Sequence, residues 1–218
     1  MSLLNNIVGP HVHGVLALGF GPFSFPSQAS AFARGTFSYC IPAEAGLNAS
    51  FRLVFGPQTG PAHTQCTELI PKVNGPFYAV NNCSEIGPEK WIVDTVQVYT
   101  SLPSGTYKAV VAPLDKWMSR FGRRVSPGMF SPLKYCYSVK SELHSWPKLD
   151  FVFGDGKVFK PVGPGVVVGL KSGVKCLGFV RSSDVLPVIG TIMQGNHWIQ
   201  FRTGKSPKWC FAEANCTR

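Results

Sequence analysis

Acidic side chains are scarce in this chain: 11 Asp and Glu stand against 21 Lys and Arg among 218 residues, for a formal charge of +10. The imbalance favours an acidic partner, whether nucleic acid, anionic polysaccharide or acidic protein. The basic residues are scattered, however, and only Arg120, Arg123 and Arg124 cluster. No nucleic-acid-binding module surrounds them, so nucleic acid is not the expected partner. Zinc-type Cys-x-x-Cys pairs are missing too, although there are seven cysteines, at 40, 66, 83, 136, 176, 210 and 216. Disulfides are the expected use of these thiols, not a metal site. His11 and His13 alternate on one strand face without a third ligand nearby, so neither a metal nor any other cofactor is expected. No apolar run reaches the ~20 residues that span a bilayer. The opening residues, Met1 to Asn6, lack the basic region and continuous apolar core of a signal peptide. Gly154, Asp155, Gly156 and Lys157 lack the spacing and following helix of a phosphate loop, and read as a hairpin turn.

What the chain does have is 23 Gly and 18 Pro between short runs rich in Val, Phe and Tyr. That composition predicts a mainly β protein of short strands and tight turns. Two glycines and two prolines between Gly56 and Ala62 mark the likeliest break in composition. It divides the chain into a first unit, 1–58, and a larger one, 59–218. The first holds an apolar strand at Val15 to Leu18, a short helix candidate at Pro26 to Phe32, and two strands at Phe37 to Ile41 and Phe51 to Phe55.

The second unit carries one helical period. Tyr107, Val110 or Val111, Leu114, Trp117 or Met118, and Phe121 repeat at helical spacing, predicting a helix from an N-cap at Ser104 to a stop at Gly122. Pro113 should kink or split it. Strands are expected at 148–153, 166–170, 174–180, 185–189 and 198–201. Trp198 and Trp209 are expected to serve packing. Asn48, Asn82 and Asn215 each open a glycosylation sequon, which tilts the reading towards a secretory origin.

The chemistry-bearing segment runs from Trp91, Ile92 and Val93 into Asp94 and Thr95, then on to Tyr99, Thr100, Ser101, Leu102 and Pro103. An apolar strand that delivers Asp-Thr to a loop is the form of a catalytic aspartate loop. Water activation by carboxylates needs two of them sharing one proton, and this loop offers one. Other blocks stand in order around it. Gly14 to Gln28 precede it, as do Phe37, Ser38, Tyr39, Cys40 and then Leu53 to Gly56. Tyr107 to Val110, Tyr135 to Tyr137, Trp146 to Phe153, Cys176 to Val180, and Val188, Ile189, Gly190 follow it.

Together these blocks resemble the plant pepsin-like aspartic proteases and their non-proteolytic relatives, the xylanase inhibitors and basic seven-S globulins. The resemblance implies a pepsin-like fold made of a C-terminal lobe, 59–218, plus the tail of an N-terminal lobe, 1–58. The family's first catalytic aspartate and its flap tyrosine have no counterpart, so a truncated first lobe is expected. Asp94 matches the second catalytic aspartate, and Val188, Ile189 and Gly190 match the segment that braces its loop in a ψ-shaped arrangement. Two positions depart from the family. Val96 stands where a glycine follows Asp-Thr, and Ala17 where the companion brace has glycine. Because backbone passes close there, Val96 should displace the loop or force another backbone path. The run Asp94 to Thr100 is similar to the Ser-Thr-Val-Asn-Pro-Tyr-Thr of the non-proteolytic branch.

The resemblance also implies a Cys136–Cys176 disulfide. Cys40 is expected to reach the C-terminal region, where Cys210 and Cys216 lie, and spacing does not choose between them. An odd cysteine count leaves at least one thiol unpaired within the chain. The expected function is a non-catalytic, extracellular or cell-wall protein that binds another protein, a glycosidase such as a xylanase. The alternative is an aspartic endopeptidase acting through Asp94 in a homodimer or in a longer natural chain.

Overall fold

The computed structural model describes residues 16–43, 51–70, 77–82, 90–126, 132–140, 142–171 and 173–217. His11, His13, Asn48 and Cys83 lie outside them, as does Val15 of the first expected strand. Two helical turns, Phe25–Gln28 and Ser30–Ala33, lead into β1 (Thr36–Cys40) and β2 (Arg52–Phe55). Phe37 pairs with Phe55 and Tyr39 with Leu53, so the two expected strands lie side by side. The next strands are β3 (Gln65–Ile70), β4 (Tyr78–Asn81), β5 (Lys90–Val93) and β6 (Thr100–Pro103). β7 (Gly122–Val125) and β8 (Cys136–Val139) follow the long helix, then β9 (Phe151–Val152) and β10 (Val158–Phe159). The last are β11 (Val167–Lys171), β12 (Val174–Leu177), β13 (Phe179–Ser182), β14 (Val188–Ile189), β15 (His197–Arg202) and β16 (Lys208–Glu213).

One sheet of ten strands orders them β13-β6-β14-β5-β4-β3-β16-β15-β1-β2. Strands from both sides of the Gly56–Ala62 stretch therefore share one sheet, with β1 hydrogen-bonded to β15 from Thr36–Arg202 to Cys40–Trp198. A second sheet of four runs β11-β12-β8-β7, and β9 and β10 form a hairpin. Its turn is Gly154 to Lys157, closed by Phe153 N–H to the Lys157 carbonyl at 2.9 Å, with Gly156 at φ +77°. Aromatic side chains fill the core on one face of the large sheet. Phe37, Tyr39, Tyr78 and Phe201 form one group, and Phe153, Phe159, Trp209 and Phe211 another.

Three disulfides tie strands together. Cys66–Cys210 and Cys136–Cys176 each link residues directly opposite in register, across β3/β16 and β8/β12. Cys40–Cys216 fastens the chain's end to β1.

The long helix differs from its sequence-based outline at three points. It runs Ser104–Met118 with Pro103, not Ser104, at the cap position, and no side chain caps it. Tyr107, Val111, Leu114 and Met118 are buried, one residue per turn. Pro113 does not split it into two helices. Pro113 and Ala109, whose carbonyl loses its helical partner, are both on the exposed face, open to solvent. Gly122 is no helix stop either; it opens β7, where an added Cβ would lie 2.1 Å from the Ser138 carbonyl oxygen. Close pairing of β7 with β8 explains that glycine.

Candidate functional site

Asp94 follows directly on β5. β14 lies between β5 and β6, parallel to the first (Val188 to Ile92, Ile189 to Val93) and antiparallel to the second (Val188 to Ser101). The chain thus leaves β5, passes through residues 94–99 and returns as β6 on the other side of β14, which is a ψ-shaped path. Backbone hydrogen bonds link loop and brace. Asp94 N–H donates to the Ile189 carbonyl at 3.2 Å, Thr191 N–H to the Gln97 carbonyl at 2.8 Å, and Ile192 N–H to the Val98 carbonyl at 3.2 Å. The Thr100 hydroxyl accepts from Gly190 N–H at 3.1 Å.

Gly190 has no room for a side chain: a Cβ would stand 2.6 Å from the Val98 oxygen and from the Tyr99 carbonyl carbon. Val96 is 55% exposed, and its amide bonds back to the aspartate of its own loop. Asp94 Oδ1 accepts from Val96 N–H at 2.6 Å and from Gln97 N–H at 3.2 Å. The carboxylate therefore caps its own loop.

Beneath the loop lies a residue that the sequence reading missed. Gln194, fully buried in the 3-10 turn Thr191–Gln194, donates from Nε2 to the Asp94 carbonyl at 2.8 Å and to the Ile189 and Gly190 carbonyls at 3.3 Å. Its Oε1 accepts from the Tyr39 hydroxyl of β1. Burial first, and the Asp94 carboxylate second, push the Tyr39 hydroxyl well above the ordinary phenol range, so it stays a donor. A glutamine four positions after a buried glycine, inside an apolar run, is the one local signal that could have flagged it.

The remaining sequence candidates lie elsewhere. Ala17 is exposed and its carbonyl accepts from Phe25 N–H at 2.8 Å. Asn82 bridges to Phe153 at the β9 end. Asn215 is exposed, and its Oδ1 accepts from the Thr217 amide at 3.1 Å and hydroxyl at 2.6 Å. Arg120 lies over the Trp117 and Phe121 rings at 5.9 Å, and Arg124 over Tyr135 at 3.8 Å. Two members of the basic cluster are thus held by aromatic faces. Trp209 is buried, while Trp198 is half-buried and lines a cavity beside β1. Among the described residues no group of three His, Cys, Asp or Glu side chains could hold a metal ion, and no helix is long and apolar enough to cross a membrane.

Comparison with known proteins agrees with this geometry. The soybean basic 7S globulin structure superposes with a TM-score of 0.77 at 19% identity, covering 96% of this chain and 59% of that one. The structure named edgp superposes with a TM-score of 0.78 at 21% identity, covering 98% and 62%. The fold is the pepsin-like one these proteins share. Curated relatives include aspartyl protease AED1 of Arabidopsis thaliana, 23% identical over 91% of this chain and 46% of that protein. Aspartic proteinase nepenthesin-1 of Nepenthes gracilis is 24% identical over 93% and 50%. The chain spans about half the length of the curated relatives it matches. The family model described as xylanase inhibitor C-terminal, TAXi_C, matches residues 72–207, more than half of the sequence. The chain belongs to that family, within the plant aspartic-protease-like proteins.

Proposed function

We propose that this is a non-proteolytic, extracellular member of the family that binds another protein, a cell-wall-degrading glycosidase such as a xylanase. The observation that carries the reading is the surface of the loop around Asp94. The Asp94 carboxylate accepts from two amides of its own loop through Oδ1, and neither partner is a second carboxylate. A catalytic carboxylate shares a proton with a second carboxylate and activates water between them. Around it the loop shows solvent two apolar side chains, Val96 at 55% and Val98 at 50% exposure. Exposed apolar loop residues on a rigid base suit a protein interface better than water activation. Three disulfides fit an oxidising compartment.

The test is to mix the purified protein with xylanases and follow complex formation by calorimetry. Binding at about micromolar concentration is expected. No heat and no co-elution would remove the xylanase version.

A second reading, an aspartic endopeptidase, is favoured by the names of the curated relatives and by the aspartate itself at position 94. It needs a second carboxylate, from another copy of Asp94 across a two-fold axis or from a longer chain. Peptide cleavage at acid pH, compared between the wild type and Asp94→Ala, separates the readings. No cleavage by either is expected, and activity that vanishes in the variant overturns the proposal.

A further inference from the structure

β1 alternates: Phe37 and Tyr39 enter the aromatic core, so Ser38 and Cys40 face the opposite side of the sheet. Ser38 is 2% exposed, yet its hydroxyl has no hydrogen-bond partner. A buried hydroxyl left unbonded costs about 1–3 kcal/mol, so a fold that keeps one calls for a reason. Its neighbour in register, Gln200, is satisfied on the same face by the Gln58 carbonyl at 3.0 Å and by Arg202 Nε at 2.6 Å.

Ser38 lines a cavity of about 320 Å³, bounded by β1, β2, the rim of residues 58–61 and the C-terminal segment. The cavity is built rather than incidental. Gln200 holds the rim at Gln58, Thr64 holds it at Pro61 with a 2.6 Å hydroxyl bond, and the Cys40–Cys216 disulfide fixes the far wall. Gly60 packs on Trp198 so closely that a Cβ would stand 2.5 Å from the indole ring. Arg52 is exposed at the edge, and no Asp or Glu is among the described lining residues.

A half-buried indole backed by Gly60, a buried unbonded hydroxyl and a guanidinium with no acidic residue among the described lining define a ligand chemistry. We propose that this cavity binds a pyranose that carries a carboxylate, a uronic acid residue. The apolar face of the sugar packs on Trp198, the carboxylate meets the Arg52 fork, and a ring hydroxyl bonds Ser38 Oγ. A nucleotide is less suited, since its phosphates call for several cations and the lining offers Arg52 alone. This site is independent of the Asp94 loop and of any xylanase binding.

Titration calorimetry of the full chain with galacturonate, galactose and trigalacturonate tests it. Galacturonate is expected to bind at least about tenfold more tightly than galactose. Arg52→Gln should abolish that preference, Ser38→Ala should weaken both sugars several-fold, and Lys205→Gln, on the turn between β15 and β16, should change neither. Tighter binding of the monosaccharide assigns a free uronate, and tighter binding of the trimer assigns a polysaccharide end; both support the site. No saturable heat up to about 10 mM galacturonate overturns it. So does an equal loss in Lys205→Gln, or full displacement by an acidic peptide, since either makes the attraction one of net charge.

Discussion

Tyr39 and Ser38 are neighbours on one strand, and their hydroxyls fare in opposite ways. The first points to the aspartate loop and is bonded by Gln194; the second points to the back cavity and has no partner. Around Asp94 the polar groups of loop and brace use one another, which braces that region. The back face keeps one buried hydroxyl, that of Ser38, unbonded.

Breaking the back wall should cost the most. Cys40–Cys216 spans 176 residues, and its removal by the paired change to serine is expected to lower the urea-unfolding free energy by about 4 kcal/mol. Cys136–Cys176 spans 40, so the same treatment should cost about 1 kcal/mol less, loop entropy growing slowly with length. Equal midpoints for the two variants would show that unfolded-chain entropy is not the origin of the stabilisation.

Breaking the front comes next. Gln194→Ala strands the Tyr39 hydroxyl and removes the donor from three carbonyls, an expected loss of about 3 kcal/mol. Asp94→Ala, which removes an acceptor from a part-exposed loop, should cost about 1 kcal/mol. A Tyr39→Phe and Gln194→Ala double-mutant cycle should show coupling of about 1 kcal/mol or more, and additive losses would deny that the two side chains act as a unit.

These differences follow what local sequence can and cannot carry. The β content and the pepsin-like order of blocks were legible because short β-branched and aromatic runs alternate with glycine and proline. Gly190 was legible as a brace because only glycine survives 2.6 Å from another backbone. Val96 was read from residue identity alone, which does not tell how exposed a side chain is; here it is 55% exposed. Pro113 was read from propensity alone, which is blind to the solvent face that absorbs its missing bond. Local pattern gives only a faint signal for Gln194 and none for the role of Ser38, since the partner of one and the cavity beside the other are assembled from segments more than a hundred residues apart.

Acidification should separate the two faces less strongly. His197 on β15 is buried against Phe159, with Nδ1 at 2.9 Å from the Gly195 carbonyl oxygen. Burial holds its imidazole below the ordinary value of 6.5, against the smaller opposing effects of Gly195, Glu213 and Lys160. The unfolded chain then takes up the proton first as pH falls. Stability is complete above pH 6.5 and declines below it, by at most about 1.4 kcal/mol per pH unit, until the folded imidazole also protonates. Melting temperatures from pH 7.5 down to 5 should fall in the wild type and fall less in His197→Gln. Parallel curves would assign the acid sensitivity to other groups.

The smallest effect should also be opposite in sign. In Ser38→Ala the hydroxyl that disappears had no partner, so its removal relieves a desolvation cost. The expected outcome is a stability unchanged or raised by up to about 1 kcal/mol. The contrast with Gln194→Ala is the point: two buried polar side chains reached from one strand, one whose loss weakens the fold and one whose loss does not. If Ser38→Ala instead lowers the melting temperature as a lost hydrogen bond would, an ordered water satisfies the hydroxyl and the back face is as self-contained as the front. If stability holds while uronate binding drops, the serine is retained for a ligand, because the folded chain gains nothing from it.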